Sequence, residues 1–362
     1  MVIAGGGVHA SGAYAELEAL QELGVPVAYT MMGKGAVSDT HPLTIGLVGN
    51  VISLNSLGRH MRSIVEEADV ILLVGTRTNQ NGTDSWTLLP SGAKIIHIDV
   101  DAMEIGRTYE PTVRIAADAR LALDALLVGL REAWRDKGHA TRDALAARIA
   151  KARSDRATEI APLIANTGCI RPEQVMALCQ TMLDSGSIVA ADASYSSIWI
   201  TSFLDAQRAG QRFLAPRGLA GLGWGLPLAI GAKLASPDSR VLCVVGDGGF
   251  GHCWSELETL KRMGCTVTLL ILNNSLLGFQ RDAEFVKFGR CTSAIHFEPV
   301  DHAAVARACK LPGQRVETMD ALEAALKASF ADPDSSHVIE VICDPEALPP
   351  LTMFEKLARE RA

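Results

Sequence analysis

The chain has 362 residues, 48% of them hydrophobic and 21% charged. This length predicts two domains, each large enough to bury its own core, and the hydrophobic fraction excludes intrinsic disorder. The formal net charge of −7 offers no basic surface for nucleic acid or an anionic membrane, and no apolar run approaches the ~18 residues of a membrane span.

The first residues, MVIAGGGVHA, carry no basic region before their apolar stretch, so we expect no signal peptide. The eight cysteines contain no C-x-x-C pair, and the nine histidines form no H-E-x-x-H pattern. This spacing is typical of reduced cytoplasmic thiols rather than of a disulfide framework or a zinc site. We therefore expect a cytoplasmic protein in which any metal is held by oxygen ligands.

Short β-branched runs alternate with longer helical periods in the first half of the chain, which is typical of α/β layering around a parallel sheet. The predicted strands, in chain order, are 2–4, 27–30, 70–74, 95–99 and 113–116. The predicted helices cover residues 12–23, 57–67 and 120–135. We therefore predict a first domain over residues 1–138.

The composition changes after this domain. Residues 139–169 are rich in Ala, Arg and Asp, which predicts a charged, partly helical linker. A second domain is predicted over residues 170–362, beginning with a helix that has Pro172 in its first turn. Its predicted strands are 187–191, 241–245, 266–272 and 338–342. Both domains are predicted to be doubly wound α/β folds with mainly parallel sheets.

Polar residues follow two successive strands of the second domain. The apolar strand 241–245 ends in Gly-Asp-Gly-Gly, and strand 266–272 ends in Asn-Asn, with a helix predicted between them from about 254 to 263. Such a βαβ unit makes the two strands parallel and adjacent. Asp247 and Asn274 are then expected side by side at the carboxyl ends of the strands, where open α/β sheets bind ligands.

These residue types suit one kind of ligand. A carboxylate and an amide oxygen match the preferences of Mg²⁺, and glycines at a helix start leave N–H groups free for a diphosphate. The sequence therefore predicts a Mg²⁺-diphosphate site. The alternative is that GDGG is only a tight turn and NN an ordinary loop.

The spacing of the two motifs resembles a known family. GDG, 24 residues and then NN is similar to the diphosphate-binding signature of thiamine-diphosphate enzymes, and the chain looks most like the acetolactate synthase branch. GLAGLGWGLPLAIGA at 218–232 is similar to that branch's GLGTMGFGLPAAIGA, and residues 30–49 resemble its TLMGKG…HP…G segment. The resemblance covers nearly the whole chain. It implies a middle domain like that of this family, followed by a thiamine-diphosphate-binding fold.

The resemblance implies roles for individual residues. The side chains of Asp247 and Asn274 and the carbonyl of Leu276 would hold Mg²⁺. Leu222 would support the bent form of thiamine, and the Ala220 carbonyl would accept the cofactor's 4′-amino group, which gives both a catalytic positioning role. The implied cofactor-binding residues are Ser194, Tyr195, Ser196, Ala220, Leu222, Gly246, Gly248, Gly249, Leu277, Gly278 and Phe279.

Two segments depart from the family pattern. Residues 192–196, Asp-Ala-Ser-Tyr-Ser, align with the family's D-V-G-Q-H turn, so that Tyr195 and Ser196 replace its Gln and His. Ala283 stands near the position of a Trp that selects the second 2-keto acid in acetolactate synthases. That second-substrate specificity is therefore not expected here.

The first domain resembles the middle domain of the family, which holds FAD in acetolactate synthases and an ADP or CoA moiety in acyl-CoA relatives. Its Ala-Gly-Gly-Gly at 4–7 is not a proper G-x-G-x-x-G, and Thr30 stands where an acidic residue would be expected. The second arginine of the family's GARFDDR is also missing, because Gly82 and Thr83 occupy that neighbourhood. FAD, ADP or CoA, and an empty site all stay open.

In this family a glutamate that activates the cofactor belongs to a pyrimidine-binding domain of about 180 residues, a usual single-domain size. No Glu of this chain can be assigned that role. We expect a subunit of a split thiamine-diphosphate enzyme that decarboxylates a 2-keto acid and joins the product to an acceptor. A partner subunit would supply the glutamate, in a heterotetramer or larger assembly.

Five alternatives to this expectation remain open. The sequence could be a truncated piece or a pseudoenzyme. It could instead be a subunit of a 2-keto acid decarboxylase or of a 2-hydroxyacyl-CoA lyase. The last alternative is a non-catalytic nucleotide-binding subunit.

Overall fold

The computed structural model describes residues 1–133 and 139–361, which form two compact units. Unit 1 contains Met1–Ile160, Asp205–Gln211 and Pro350–Glu355, and unit 2 contains the remaining described residues. The predicted boundary at residue 138, and residues 134 and 135 of the predicted helix 120–135, lie outside the described residues. Each unit is built around its own parallel sheet, as the sequence predicted.

Unit 1 contains a six-stranded sheet in the order β3-β2-β1-β4-β5-β6, and each of its strand pairs is parallel. The strands are β1 (Val2–Ala4), β2 (Val27–Tyr29), β3 (Thr44–Leu47), β4 (Val70–Val74), β5 (Lys94–Asp99) and β6 (Val113–Ala116). The helices are α1 (Gly6–Ser11), α2 (Tyr14–Glu22), α3 (Leu57–Glu66), α4 (Ala119–Ala133) and α5 (His139–Ile164). The five strands predicted for this half are all present. Strand β3 was missed because Gly46 interrupts its short apolar run.

Helix α5 covers most of the segment predicted as a linker. Its Ile149 and Ala152 are buried in a hydrophobic cluster with residues of the unit 1 sheet and of α3, among them Ile45 and Met61. Burial of apolar side chains on one face is enough to hold a helix whose other faces are charged. Most of residues 139–164 therefore form a structural helix of unit 1 rather than a surface linker.

Unit 1 also buries a small charged cluster. Lys34 Nζ lies 2.7 Å from Asp39 Oδ2, and both the Lys34 amine and the Asp39 carboxylate bond to the Tyr29 hydroxyl. The segment Asp205–Gln211 completes this cluster, because the Ala206 N–H donates to Asp39 Oδ2 at 2.7 Å and its carbonyl accepts the Asp39 N–H at 2.8 Å. Buried charges are tolerated when they are paired in this way.

Unit 2 contains a second six-stranded sheet, in the order β11-β12-β10-β9-β7-β8, and each of its strand pairs is parallel. The strands are β7 (Ile188–Ala191), β8 (Phe213–Leu214), β9 (Val241–Gly246), β10 (Thr268–Asn273), β11 (Gly313–Val316) and β12 (His337–Ile342). The helices are α6 (Pro172–Met182), α7 (Tyr195–Phe203), α8 (Gly225–Ala235), α9 (Asp247–Gly251), α10 (Glu256–Arg262), α11 (Gly278–Phe288), α12 (His302–Ala308), α13 (Met319–Ala331) and α14 (Glu355–Arg361).

The helix predicted from about 254 to 263 is confirmed as α10, which covers Glu256–Arg262. A separate short helix before it, α9 at Asp247–Gly251, was not predicted. The predicted left-handed glycine after α10 is confirmed, since Gly264 has φ +60°. Edge strands β8 and β11 were not predicted, because the first has two residues and the second exposes Gln314 and Arg315.

The eight cysteines are all free, and Cys243 and Cys343 are buried as predicted. Across residues 1–133 and 139–361, the helices are too short or too polar to cross a membrane.

Candidate functional site

The carboxyl ends of β9 and β10 bring the predicted metal ligands to one edge of the unit 2 sheet. The two strands are parallel neighbours, and their register pairs Gly246 with Leu272. Asp247 follows the first strand directly, and Asn274 lies two residues after Leu272. The adjacency predicted from the βαβ pattern is confirmed.

The Asp247 carboxylate is buried, with only 5% of the residue exposed. Burial raises its pKa to about 7, whereas backbone hydrogen bonds at Gly248, Asn274 and Ser275 act in the opposite direction. Low dielectric disfavours an ionised carboxylate, and a bound cation reverses that preference. Asp247 therefore has the environment of a carboxylate that gains from a positive ligand.

The two asparagines at the end of β10 have different roles. Asn273 is buried and builds the turn, because its amide donates to Glu340 Oε1 at 2.7 Å and its Oδ1 accepts the Ser275 N–H at 3.0 Å. Asn274 is only half-buried, and its Oδ1 accepts the Leu276 N–H at 3.2 Å. Asn274 is thus the asparagine whose side-chain oxygen lies at the open edge.

The backbone of Leu276 is turned toward the same edge. An isolated antiparallel bridge joins Leu276 to His296, in which the Leu277 N–H donates to Ile295 and the Phe297 N–H donates to Ser275. In this pattern the N–H and carbonyl of Leu276 itself point away from the 293–297 segment. The bond from the Leu276 N–H to Asn274 agrees with that direction.

These oxygen donors fit Mg²⁺, which prefers carboxylate, amide and carbonyl oxygens. Within residues 1–133 and 139–361, no group of three or more His, Cys, Asp or Glu side chains could hold a metal ion. A metal at this edge would therefore be held by the mixed set of Asp247, Asn274 and the Leu276 carbonyl.

Glycines beside Asp247 allow the backbone to approach its neighbours closely. A Cβ on Gly249 would lie 2.1 Å from Asp192 Oδ2, and a Cβ on Gly248 would lie 2.8 Å from Leu277 Cδ2. Neither position can take a side chain without movement of these groups. Close packing against Asp192 and Leu277 therefore requires glycine at both positions.

Asp192 organises the neighbouring loop and was not predicted as a site residue. It is 1% exposed, and its carboxylate accepts the N–H groups of Gly223 and Trp224 at 2.9 and 3.1 Å. This holds residues 218–224, which carry Ala220 and Leu222, against the end of β7. The sequence did contain a signal for this role, because Asp192 directly follows the buried strand β7, at the edge where such sheets bind ligands.

Residues 218–224 expose several apolar groups. Ala220 has φ +56°, Leu222 is half-buried, and Leu219 and Trp224 are exposed to solvent. The positive φ of Ala220 is strained for a residue with a Cβ, and such strain is concentrated at functional sites.

Three further predicted residues meet at the starts of α7 and α11. The ring of Tyr195 packs edge-on against Phe279 at 6.0 Å, and a Cβ on Gly278 would lie 3.1 Å from the same Tyr195 ring. The Tyr195 hydroxyl donates to Asp282 Oδ2 at 2.6 Å. Ser194 precedes α7 with φ +67°, and Ser196 is buried beside Gly246.

Asp282 was missed by the sequence reasoning. It is completely buried, and its Oδ1 also accepts Arg281 Nε and Arg361 Nη2, each at 3.0 Å. Burial and Asp282 both raise the pKa of Tyr195 well above its usual value, so the phenol stays protonated and donates.

A cavity of about 270 Å³ opens beside Asp247 and Gly248. Its other lining residues include Trp254, Ser275, Phe297, Glu298 and His302. The space beside Asp247 at the carboxyl edge of the sheet is therefore accessible rather than filled by core side chains.

The glycines at the end of β1 in unit 1 have a packing role. A Cβ on Gly5 would lie 2.3 Å from the Gly75 carbonyl oxygen, and a Cβ on Gly7 would lie 2.6 Å from Gly75 Cα. Close approach of β1 and β4 at their carboxyl ends explains these glycines without a ligand. These glycines therefore do not distinguish between FAD, ADP or CoA, and an empty site in unit 1.

Comparisons with known proteins match both units. A family profile described as "Thiamine pyrophosphate enzyme, central domain" matches residues 1–126, and one described as "Thiamine pyrophosphate enzyme, C-terminal TPP binding domain" matches residues 192–341.

Individual relatives agree with these matches. A "Probable acetolactate synthase large subunit" of Methanococcus aeolicus is 30% identical over 356 aligned residues, covering 96% of this chain and 58% of that relative. A "Probable 2-ketoarginine decarboxylase" of Pseudomonas aeruginosa is 34% identical over 346 residues, covering 91% of this chain and 56% of that relative. "Acetolactate synthase 2, chloroplastic" of Nicotiana tabacum is 30% identical, covering 90% of this chain and 49% of that relative. The chain thus spans about half of the length of the curated relatives it matches.

Proposed function

Because the chain belongs to the thiamine pyrophosphate enzymes, as their central and C-terminal cofactor-binding domains, we propose that unit 2 binds thiamine diphosphate with Mg²⁺ at the carboxyl edge of its sheet. The observation that carries the proposal is the convergence of Asp247, Asn274 and the Leu276 carbonyl at the ends of two adjacent strands.

Each part of the edge has a task in this proposal. Asp247, Asn274 and the Leu276 carbonyl hold the metal ion. The N–H groups of Gly248 and Gly249 bind the diphosphate, because these residues lie in the first turn of α9 and have no side chains to cover their N–H groups. The metal ion and the diphosphate then neutralise each other in a partly buried site, where burying one unpaired charge would cost free energy.

The loop at 218–224 positions the rest of the cofactor. Ala220 offers its carbonyl to the cofactor's amino group, and Leu222 supports its bent form. Asp192 fixes the loop by two backbone hydrogen bonds, so its geometry is set before the cofactor arrives. Such preorganisation lowers the ordering cost of binding.

The proposed reaction is decarboxylation of a 2-keto acid, followed by joining of the product to an acceptor carbonyl. When bound, thiamine diphosphate supplies the electron sink for the electrons left behind by CO2. The relatives named as acetolactate synthases support this reaction.

A second candidate is simple decarboxylation without joining. It is favoured by the relative named as a 2-ketoarginine decarboxylase, whose identity of 34% exceeds the 30% of the two acetolactate synthases. Analysis of products from pyruvate distinguishes the two reactions. Acetolactate supports carboligation, whereas acetaldehyde and CO2 alone support decarboxylation.

We further propose that the glutamate that activates the cofactor comes from a pyrimidine-binding domain on a partner polypeptide. The exposed apolar residues Leu219 and Trp224 beside the cofactor loop support this, because a docked domain would cover them. The test is an assay of the chain alone with thiamine diphosphate, Mg²⁺ and pyruvate. Full turnover by the isolated chain, with light scattering showing that no second polypeptide is present, contradicts this part of the proposal.

Cofactor binding is tested by titrating the protein with thiamine diphosphate in the presence and absence of Mg²⁺. Wild-type protein is expected to bind only with Mg²⁺, and Asp247→Ala is expected to lose binding because the metal loses its charged ligand. Asp238→Ala, which removes an exposed carboxylate, is the matched control and should bind like wild type. Metal-independent binding, or unchanged binding by Asp247→Ala, contradicts the proposed site.

A further inference from the structure

Arg217 is a partly buried cation without a carboxylate partner among the described residues. Its guanidinium Nη1 donates to Ser197 Oγ at 3.2 Å, and Arg217 forms no ion pair within residues 1–133 and 139–361. Burial lowers its pKa, and no carboxylate opposes that effect. A guanidinium withdrawn from water with a single hydroxyl partner leaves most of its donors unused.

The position of Arg217 relates it to two segments of the proposed cofactor site. Along the chain it lies three residues before Ala220. Its partner Ser197 is completely buried in the first turn of α7 and follows Ser196 directly. Because the Ser197 hydroxyl donates its own hydrogen to Ser194 O at 2.9 Å, its oxygen is free to accept from Arg217.

The buried carboxylates of this region are engaged elsewhere. Asp192 accepts three backbone N–H groups, and Asp282 accepts Tyr195 and two other arginines. The first turn of α7 offers Tyr195, Ser196 and Ser197, which are neutral. The charge of Arg217 is therefore not neutralised by the described protein.

We propose that Arg217 is the binding residue for an anionic group that enters this site. The inference rests on the proposed function, and the anion is either the diphosphate of the cofactor or the carboxylate of the 2-keto acid. Arginine suits both, because its planar fork of donors matches two oxygens of a phosphate or carboxylate at once. The hydrogen bond to Ser197 orients the guanidinium group before the anion binds.

The test compares Arg217→Met, which removes the charge and keeps an apolar stem, with Arg217→Lys, which keeps the charge and loses the fork. Arg290→Met is the matched control, because Arg290 is exposed and has no ion pair within the described residues. The probes are thiamine diphosphate with Mg²⁺, inorganic diphosphate with Mg²⁺, and pyruvate, each titrated by calorimetry. Pyruvate is added to protein already saturated with the cofactor.

The two sources of the anion predict different results. If Arg217 binds the diphosphate, Arg217→Met lowers the affinities for thiamine diphosphate and inorganic diphosphate about 10- to 100-fold, which is the range of a charge-assisted hydrogen bond. The affinity for pyruvate is then unchanged. If it binds the carboxylate, only the pyruvate affinity falls by that factor. In either case Arg217→Lys is expected to lose less than Arg217→Met.

Three results would overturn the inference. Affinities of Arg217→Met within twofold of wild type for every probe would show that no anion binds there. Unfolding of both Arg217 variants, seen by circular dichroism before any ligand is added, would show a purely structural role. Failure of the wild-type protein to bind thiamine diphosphate would overturn the proposed function together with this inference, whereas wild-type binding with unchanged variants overturns the inference alone.

Discussion

Replacing Tyr195 with Phe removes one hydroxyl from the partly buried network around Asp282, and we expect a measurable loss of stability in unit 2. The hydroxyl donates to Asp282 Oδ2 at 2.6 Å, and because Asp282 is completely buried its carboxylate would lose one of its few partners. A hydrogen bond to a charged group contributes about 1.5–3 kcal/mol. For a domain of about 150–250 residues this corresponds to a fall in Tm of roughly 3–12 °C.

Thermal unfolding followed by circular dichroism measures this loss. The matched control is Tyr14→Phe in unit 1, which removes the hydrogen bond between the Tyr14 hydroxyl and His9 Nδ1 at 3.1 Å. Both Tyr14 and His9 are only half-buried, so the control should cost about 0.5–1.5 kcal/mol, the usual contribution of a neutral hydrogen bond.

A double-mutant cycle shows whether the loss passes through the Asp282 charge. On an Asp282→Asn background, Tyr195→Phe should cost less than it does alone, because the hydroxyl no longer meets a carboxylate. Equal costs of Tyr195→Phe in the two backgrounds, or an unchanged Tm of the single variant, would refute the reasoning.

Two further substitutions test other parts of unit 2. Gly249→Ala places a Cβ 2.1 Å from Asp192 Oδ2, so we expect lower stability and a loss of thiamine diphosphate binding, measured by calorimetry. Gly251→Ala is the control and should behave like wild type, because a Cβ there has no neighbour within 4 Å. Burial raises the pKa of the Glu173 carboxyl, and the nearby Arg171 lowers it in part. Because the pKa is higher in the folded than in the unfolded state, this carboxyl stabilises the fold fully at pH values below its unfolded-state pKa. The stabilisation is lost as the pH rises through its folded-state pKa. In Glu173→Gln the free energy of unfolding should therefore fall less steeply with rising pH than in the wild type. Urea denaturation at several pH values measures this, and an equal dependence on pH in the two proteins would contradict the reasoning.

The sequence was sufficient to predict the central strands of both sheets and the adjacency of the two strands that Asp247 and Asn274 follow, whereas the edge strands β3, β8 and β11 were missed. Strands such as β9 and β10 are buried on both faces and therefore appear as continuous apolar runs. The handedness of a βαβ unit then places Asp247 beside Asn274 without any knowledge of side-chain packing.

Partners chosen by tertiary packing could not be predicted. Asp282 bonds to Tyr195 and to Arg361, which are 87 and 79 residues away in the chain. No local pattern records such a pairing, because it depends on how α7, α11 and α14 pack. The same applies to Arg217, whose significance comes from the absence of a carboxylate among its described neighbours.

The bonds between Asp39 and Ala206 have a consequence for the order in which this chain can fold during synthesis. Unit 1 also includes Pro350–Glu355, where the Pro350 carbonyl accepts the Ser53 N–H and the Thr352 N–H donates to Asn50. A ribosome adding about 5–20 residues per second needs roughly 10–40 s to pass from residue 160 to residue 355. Asp39 lacks its Ala206 partner only until residue 206 has been added, whereas the backbone of Asn50 lacks Thr352 until almost the end of that interval. Unit 1 therefore has all its strands before its last hydrogen-bond partners exist, and in that period it is more accessible to chaperones and proteases.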